Sequence, residues 1–168
     1  MLHNSSGVVS NNPLATSGWE STLIRGFAAE QLQDGTSLIY NTGDRESLIN
    51  IERIEVLKGP NAILYGGNLG TPIGGVVNLI SKKPEDTPFV ELGTTIGSNN
   101  LVKPSFDINQ PLNESILFRI TGEYTKSDSQ IDVIERENYN LNPTVKINLN
   151  DNTAVTLQGK VSRWEGQD

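Results

Sequence analysis

The chain contains no cysteine, which removes thiolate zinc sites, disulfides and cysteine nucleophiles from consideration. It has one histidine, His3, near the N-terminus, so histidine-based catalysis and imidazole-rich metal centres have nothing to build on. No stretch approaches the roughly 18–20 apolar residues of a membrane helix. The opening residues, Met1-Leu2-His3-Asn4-Ser5-Ser6-Gly7, lack a charged n-region and an apolar h-region, so no signal peptide is expected. A basic half is missing too. The 168 residues carry 20 carboxylates against 13 Lys and Arg, with 9 acids to 6 bases over residues 1–87 and 11 to 7 over 88–168. Binding to a nucleic-acid backbone therefore has no electrostatic footprint and no nucleic-acid partner is expected.

What is present is glycine, 16 residues of it, and frequent asparagine. Both suit turns, and many turns mean many short strands. From Phe89 onward the chain alternates with period two. One face carries Val90, Leu92, Thr94 and Ile96, then Val102, Pro104, Phe106 and Ile108, then Ile116, Phe118, Ile120, Gly122 and Tyr124. It continues through Tyr139, Leu141, Pro143, Val145, Ile147 and Leu149 to Val155, Leu157, Gly159 and Val161. The opposite face is densely polar, with Lys103, Asp107, Asn109, Arg119, Thr121, Glu123, Asn138, Asn140, Asn142, Lys146 and Asn148. Short turns at Gly97–Asn100, Pro111–Asn113 and Asn150–Asn152 alternate with a longer loop, Thr125–Arg136.

This predicts about five antiparallel strands, each about 9–12 residues long, enough to cross a bilayer at a tilt. Two architectures fit. A soluble sandwich also alternates apolar and polar residues. A transmembrane barrel better explains the dense polar face, which suits a wet lumen. Pro104 and Pro143 cost ladder hydrogen bonds under either reading. Five strands cannot close a barrel, since the smallest bacterial ones use about eight, and open edges in lipid leave backbone groups unpaired. The expectation is an incomplete barrel.

Residues 1–87 have a different texture, with short apolar runs punctuated by Gly and Pro. Thr22–Phe27 reads as a strand ending in a Gly turn. Asp34-Gly35 is a hairpin signal with a return strand over Thr36–Asn41. Asp44 is placed to cap a short helix through Asn50. Ile51–Leu57 reads as a strand with Ile51, Arg53, Glu55 and Leu57 on one face and Glu52, Ile54 and Val56 on the other. Pro60 fits the first position of a helical turn through Leu64. A Gly-rich loop, Gly66–Gly75, leads into the strand Val76–Ile80, closed by Ser81-Lys82-Lys83-Pro84. The fold class is a compact α+β unit followed by antiparallel β-hairpins of an incomplete transmembrane barrel.

Several sharper readings lose to plainer ones. The Gly-rich loop lacks the Gly-Lys-Ser/Thr and following helix of a phosphate loop, so it reads as tight turns. Glu52 and Glu55 lie three apart on a strand, so ion pairing fits them better than acid–base work. Trp19 reads as packing. Trp164 suits an interfacial girdle but falls on the polar parity. Asn4-Ser5-Ser6 and Asn113-Glu114-Ser115 match glycosylation sequons by chance.

The segments Leu23-Ile24-Arg25-Gly26-Phe27-Ala28-Ala29-Glu30 and Ile51-Glu52-Arg53-Ile54-Glu55-Val56-Leu57-Lys58-Gly59-Pro60, with Leu64-Tyr65-Gly66 and the run to Pro84, carry a resemblance. Together with the hairpins they resemble the plug domain and leading barrel strands of TonB-dependent siderophore receptors, especially the ferrichrome-type ones. The resemblance runs collinearly over essentially the whole chain. It implies a plug at 1–87 and the first barrel strands at 88–168, both parts of a barrel of about 22 strands filled by its plug. It implies an outer-membrane location, outer-membrane lipid around the barrel, a ferric siderophore as transported ligand and no covalent cofactor. It also implies coupling to the TonB-ExbB-ExbD complex through a TonB box that is absent from these residues, and no enzymatic step.

Residue by residue, Arg25 and Lys58 match the cations that lock plug to wall by pairing with glutamates on later strands. Lys58 gives up the bidentate fork of the family's arginine. Residues of the two apex loops, Glu30, Gln31 and Gln33 in one and Tyr40, Asn41 and Arg45 in the other, are the ligand-binding candidates, with Tyr40 a loose counterpart of the family's apex tyrosine. The family's upstream contact arginine aligns with Asn12-Pro13, so ligand identity does not carry over. The isolated segment is expected not to transport. The alternatives are a stand-alone siderophore-binding plug module and a soluble β-rich structural or carbohydrate-binding protein.

Overall fold

The computed structural model describes residues 6–11, 21–37, 47–59, 73–128, 135–150 and 152–166. The chain divides into two compact units, one of Met1–Glu46 with Ile51–Ser81 and one of Ser47–Asn50 with Lys82–Asp168.

The first unit is built from short strands. β1 (Val8–Asn11), β2 (Ser21–Ile24) and β3 (Phe27–Ala28) form an antiparallel sheet. β4 (Glu30–Gln33), β5 (Thr36–Ser37), β6 (Ile51–Lys58) and β7 (Gly75–Ser81) form a second, in the order β5-β4-β7-β6. Two-residue turns make both short hairpins. Arg25 and Gly26 take φ of 54° and 85°, and Asp34 and Gly35 take 50° and 79°. Positive φ at both central residues matches the twist of the flanking strands, so the Asp-Gly signal is borne out. The return strand is described only over Thr36–Ser37. Glu30–Gln33, expected as a loop, is a strand. It pairs in parallel with β7, Leu32 against Asn78, and the Leu32 side chain is fully buried.

β7 is central and buried on both faces over Gly75–Asn78. Val8, Ile24 and Val77 form the core, with Ala29, Ile54 and Val56 packed against them. Each such side chain contributes about 1.5–3 kcal/mol on burial. A Cβ on Gly75, whose φ is 135°, would strike the Leu57 carbonyl oxygen, so the close approach of β6 and β7 at this end requires glycine.

The faces of β6 differ from strict alternation. Ile51 pairs with Ser81, but Arg53 pairs with Ile80 and Ile54 with Leu79. The register shift leaves Glu52 as the extra residue of a bulge. Ile51 thereby joins the parity of Ile54 and Val56 instead of that of Arg53. The ion pairing expected at Glu52 and Glu55 is present, since Arg53 bridges both, at 3.5 and 2.9 Å. Of the helix expected from Asp44, the described part is one 3-10 turn at Leu48–Asn50, with the Ser47 hydroxyl accepting from the Ile49 N–H. Asp44 itself, the Pro60 turn and Trp19 lie outside the described residues, as does the Gly-rich loop before Ile73.

In the second unit β8 (Phe89–Ile96), β9 (Val102–Pro111), β10 (Ile116–Asp128), β11 (Glu135–Asn150), β12 (Thr153–Gln158) and β13 (Val161–Gly166) form one antiparallel meander. β12 and β13 both pair with β11 in a single continuous register, Thr144 against Gln158 and Leu141 against Val161. They are one strand interrupted at Gly159-Lys160, so the described residues of this unit form five strands, as expected. β10 and β11 run longer than expected. Their ladder continues through Thr125↔Asn138 to Asp128↔Glu135, so the two ends of the expected loop are strand.

The register accounts for both prolines. Gly159 N–H donates to the Pro143 carbonyl at 2.8 Å, but Pro143 has no N–H to return, and the ladder breaks there. Pro104 pairs with Thr94 on β8. On its other side the β9–β10 pairing lapses between Ser105↔Glu123 and Val102↔Lys126, where its missing donor falls.

The apolar positions align across all strands. Leu92 faces Phe106, Phe106 faces Gly122, Gly122 faces Leu141 and Leu141 faces Val161. The Phe106 ring covers Gly122, where an added Cβ would overlap it. Tyr124 and Tyr139 stack across β10 and β11 with centroids 4.8 Å apart. Burial is inverted relative to a soluble sheet. Along β10 the polar-parity residues Leu117, Arg119, Thr121 and Glu123 are buried, and Thr121 has no exposure at all. Leu92 is 80% exposed and Leu157 59%.

Candidate functional site

Two groups of side chains stand out, one in each unit. In the first unit the two expected lock cations meet at one turn. Arg25 occupies the left-handed position of the β2–β3 turn, and its N–H donates to the Gly7 carbonyl at 2.8 Å. Lys58, the last residue of β6, donates from Nζ to the neighbouring Ser6 carbonyl at 2.7 Å. Both side chains are exposed, and no acid among the described residues pairs with either.

The expected ligand residues separate. Gln33 Nε2 donates to Ser81 Oγ at 3.0 Å and Gln31 Nε2 lies 3.4 Å from Thr22 Oγ1, so both amides are engaged within the unit. Glu30 differs, since both its carboxylate oxygens are buried without a hydrogen-bond partner. Tyr40, Asn41 and Arg45 lie outside the described residues. Among the described residues no group of three or more His, Asp or Glu side chains is placed to hold a metal ion.

The second group was not foreseen from the sequence. Lys82–Pro88 has no regular secondary structure, so its backbone polar groups need partners from elsewhere. β9 and β10 supply them. Asn109, 1% exposed, works as a strand mimic. Its Oδ1 accepts from the Glu85 N–H at 2.9 Å, and its Nδ2 donates to the carbonyls of Glu85 and Thr87 at 2.8 and 2.7 Å.

Arg119 forks onto Asp107, Nε to Oδ1 and Nη2 to Oδ2, both at 2.9 Å. Its Nη1 donates to the Lys83 carbonyl at 2.8 Å and reaches Glu85 Oε1 at 3.1 Å. The guanidinium lies over the Phe89 ring, 5.0 Å from its centroid. Lys82 Nζ completes the group 2.8 Å from Asp107 Oδ2. Buried charges persist only when paired and hydrogen-bonded, and a bidentate fork is the strong form of such a pair. The signal for it was present in the register: Arg119 sits opposite Asn109 and Thr121 opposite Asp107, which makes Asp107 and Arg119 diagonal neighbours on one polar face.

A short-stranded, glycine-tightened unit followed by a meander with its polar side buried is the pattern that known proteins share. Residues 1–76 match the family model described as TonB-dependent Receptor Plug Domain. The "Ferrioxamine B receptor" of Salmonella typhimurium strain SL1344 is 32% identical over 167 residues, 94% of this chain. The chain belongs to the TonB-dependent siderophore receptors. The "Ferrichrome outer membrane transporter/phage receptor" of Escherichia coli K12 is 28% identical over 153 residues, 85% of this chain and 20% of its own length. Among solved structures, the ferric preacinetobactin receptor BauA of Acinetobacter baumannii superposes with a TM-score of 0.79 at 29% identity, over 93% of this chain and 24% of that one. These TonB-dependent receptors are much longer proteins, and the chain spans 23% of the ferrioxamine B receptor. Its fold is that of their plug and leading strands.

Proposed function

We propose that this chain is the plug and first wall strands of an outer-membrane receptor that imports a ferric siderophore, energised through TonB-ExbB-ExbD. The observation that carries the reading is the sheet of the second unit, apolar outward and polar inward, directly following a plug. The division falls at 87/88, with residues 1–87 as plug and 88–168 as wall. Arg25 and Lys58, exposed and without an acid among the described residues, are the cations that take carboxylate partners from the receptor wall. Glu30, Gln31, Gln33, Tyr40, Asn41 and Arg45 supply the plug's contacts to the ligand. Iron arrives chelated as cargo, so the plug requires no metal-binding cluster of its own.

A chimera tests this. Residues 1–168 replace the matching quarter of the ferrioxamine B receptor, and uptake of a panel of iron-loaded siderophores is measured in a receptor-deleted strain, with and without TonB. Uptake that requires TonB is expected. A chimera that reaches the outer membrane in amounts equal to the parent, yet imports none of the panel, contradicts the proposal.

A further inference from the structure

The irregular segment Lys82–Pro88 is held more tightly than its lack of secondary structure suggests. Its main chain makes four hydrogen bonds with two side chains, three with Asn109 and one with Arg119. Lys82 is tied to the same Asp107 that orients Arg119. The side chains that do this are buried, Asp107 at 3% exposure and Arg119 at 9%. The hold begins where the first compact unit ends, at Ser81.

We propose that Asp107, Asn109 and Arg119 form an anchor that makes Lys82–Thr87, the last residues of the plug segment, move with the wall. A hydrogen bond to a charged group contributes about 1.5–3 kcal/mol and a neutral one about 1, so several acting on six residues hold the segment while the strands before it open. Local opening then stops at Ser81, because the free energy of opening is set by the contacts each segment makes. In a receptor whose plug rearranges during import, the downstream limit of that movement is residue 82. That consequence rests on the transport reading. The anchor itself does not, and its test is separate from uptake.

Lys82-Lys83 is a trypsin site, and Lys83-Pro84 is a poor one because proline follows. The full chain, folded in a mild detergent, is digested briefly, and cleavage after Lys82 is compared with cleavage after Arg53, which is exposed on β6. In the native chain, cleavage after Lys82 should be at least about tenfold slower. Arg119→Met and Asn109→Ala should each raise it about tenfold or more, the factor expected for losing one or more such bonds, with cleavage after Arg53 unchanged. Lys103→Met, which breaks the nearby Lys103–Glu123 pair at 2.9 Å, should leave it unchanged. Arg119→Lys keeps the charge and loses the fork, so partial release is expected. The proposal is overturned if native Lys82 is cut as fast as Arg53, if neither Arg119→Met nor Asn109→Ala speeds the cut, or if Lys103→Met speeds it equally.

Discussion

The two units of this chain differ in the kind of residue that dominates their buried positions. The first buries Val8, Ile24, Leu32, Val76 and Val77 and turns Arg25 and Lys58 outward. The second buries Asp107, Asn109, Arg119, Thr121, Asn140, Asn142 and Thr144 and turns outward Val90, Leu92, Ile96, Leu149, Leu157 and Val161. Both use β-strands with side chains alternating between two faces. On the function proposed above, what differs is which face has water. A plug strand is stabilised by taking apolar surface out of water. A wall strand in hydrocarbon gains nothing from hiding leucine, and its polar groups must find partners on the inner side. The fork of Arg119 onto Asp107 therefore has the place in the second unit that the packing of Ile24 against Val77 has in the first.

Substitutions that break each kind of core should rank accordingly. The largest loss is expected for Arg119→Met, which leaves Asp107 buried with only Lys82 beside it. Breaking a buried pair costs about 3–5 kcal/mol, and denaturant titration in detergent should show it in the transition of the second unit. Ile24→Ala in the apolar core should cost about 3 kcal/mol through lost transfer energy and the cavity left behind, confined to the transition of the first unit. Equal loss in both units would mean that the two cores are not separate.

Gly122→Ala is a third test. The added methyl meets the Phe106 ring, which must shift at a cost of about 1–3 kcal/mol, and a paired Phe106→Leu should recover part of it. The smallest effect belongs to Lys103→Met. The lysine is one-third exposed and cannot make a fork, so although Glu123 is buried its loss should cost less than that of Arg119 and shift the unfolding midpoint least.

Much of this contrast was legible in the sequence because it is local. Period-two alternation places Val90, Phe106, Ile120, Val145 and Leu157 on one face, and the ladders join them in register. Asp34-Gly35 specifies a turn by its backbone preference alone, and Gly26 marks the other. What escaped is what depends on a single inserted residue or on partners far along the chain. The bulge at Glu52 moves Ile51 to the other parity, and a pattern count that assumes strict alternation cannot detect it. Glu30–Gln33 was expected as a loop because its three polar residues hide the one, Leu32, that pairing with β7 buries. Asp107, Asn109 and Arg119 were placed on the polar face correctly, but their partners on Lys82–Thr87 lie 22 to 36 residues away, beyond the reach of any local rule. Pro104 and Pro143 became intelligible only once each missing N–H could be assigned to a side of its strand.

The central claim is that the outward face of the second unit is made for lipid. Sedimentation of the full chain with and without a mild detergent tests it most directly. The account predicts aggregation in plain buffer and, in detergent, a folded species carrying bound detergent, because an exposed apolar sheet of this extent is not stable against water. A monodisperse monomer in plain buffer that melts cooperatively and binds no detergent would contradict it.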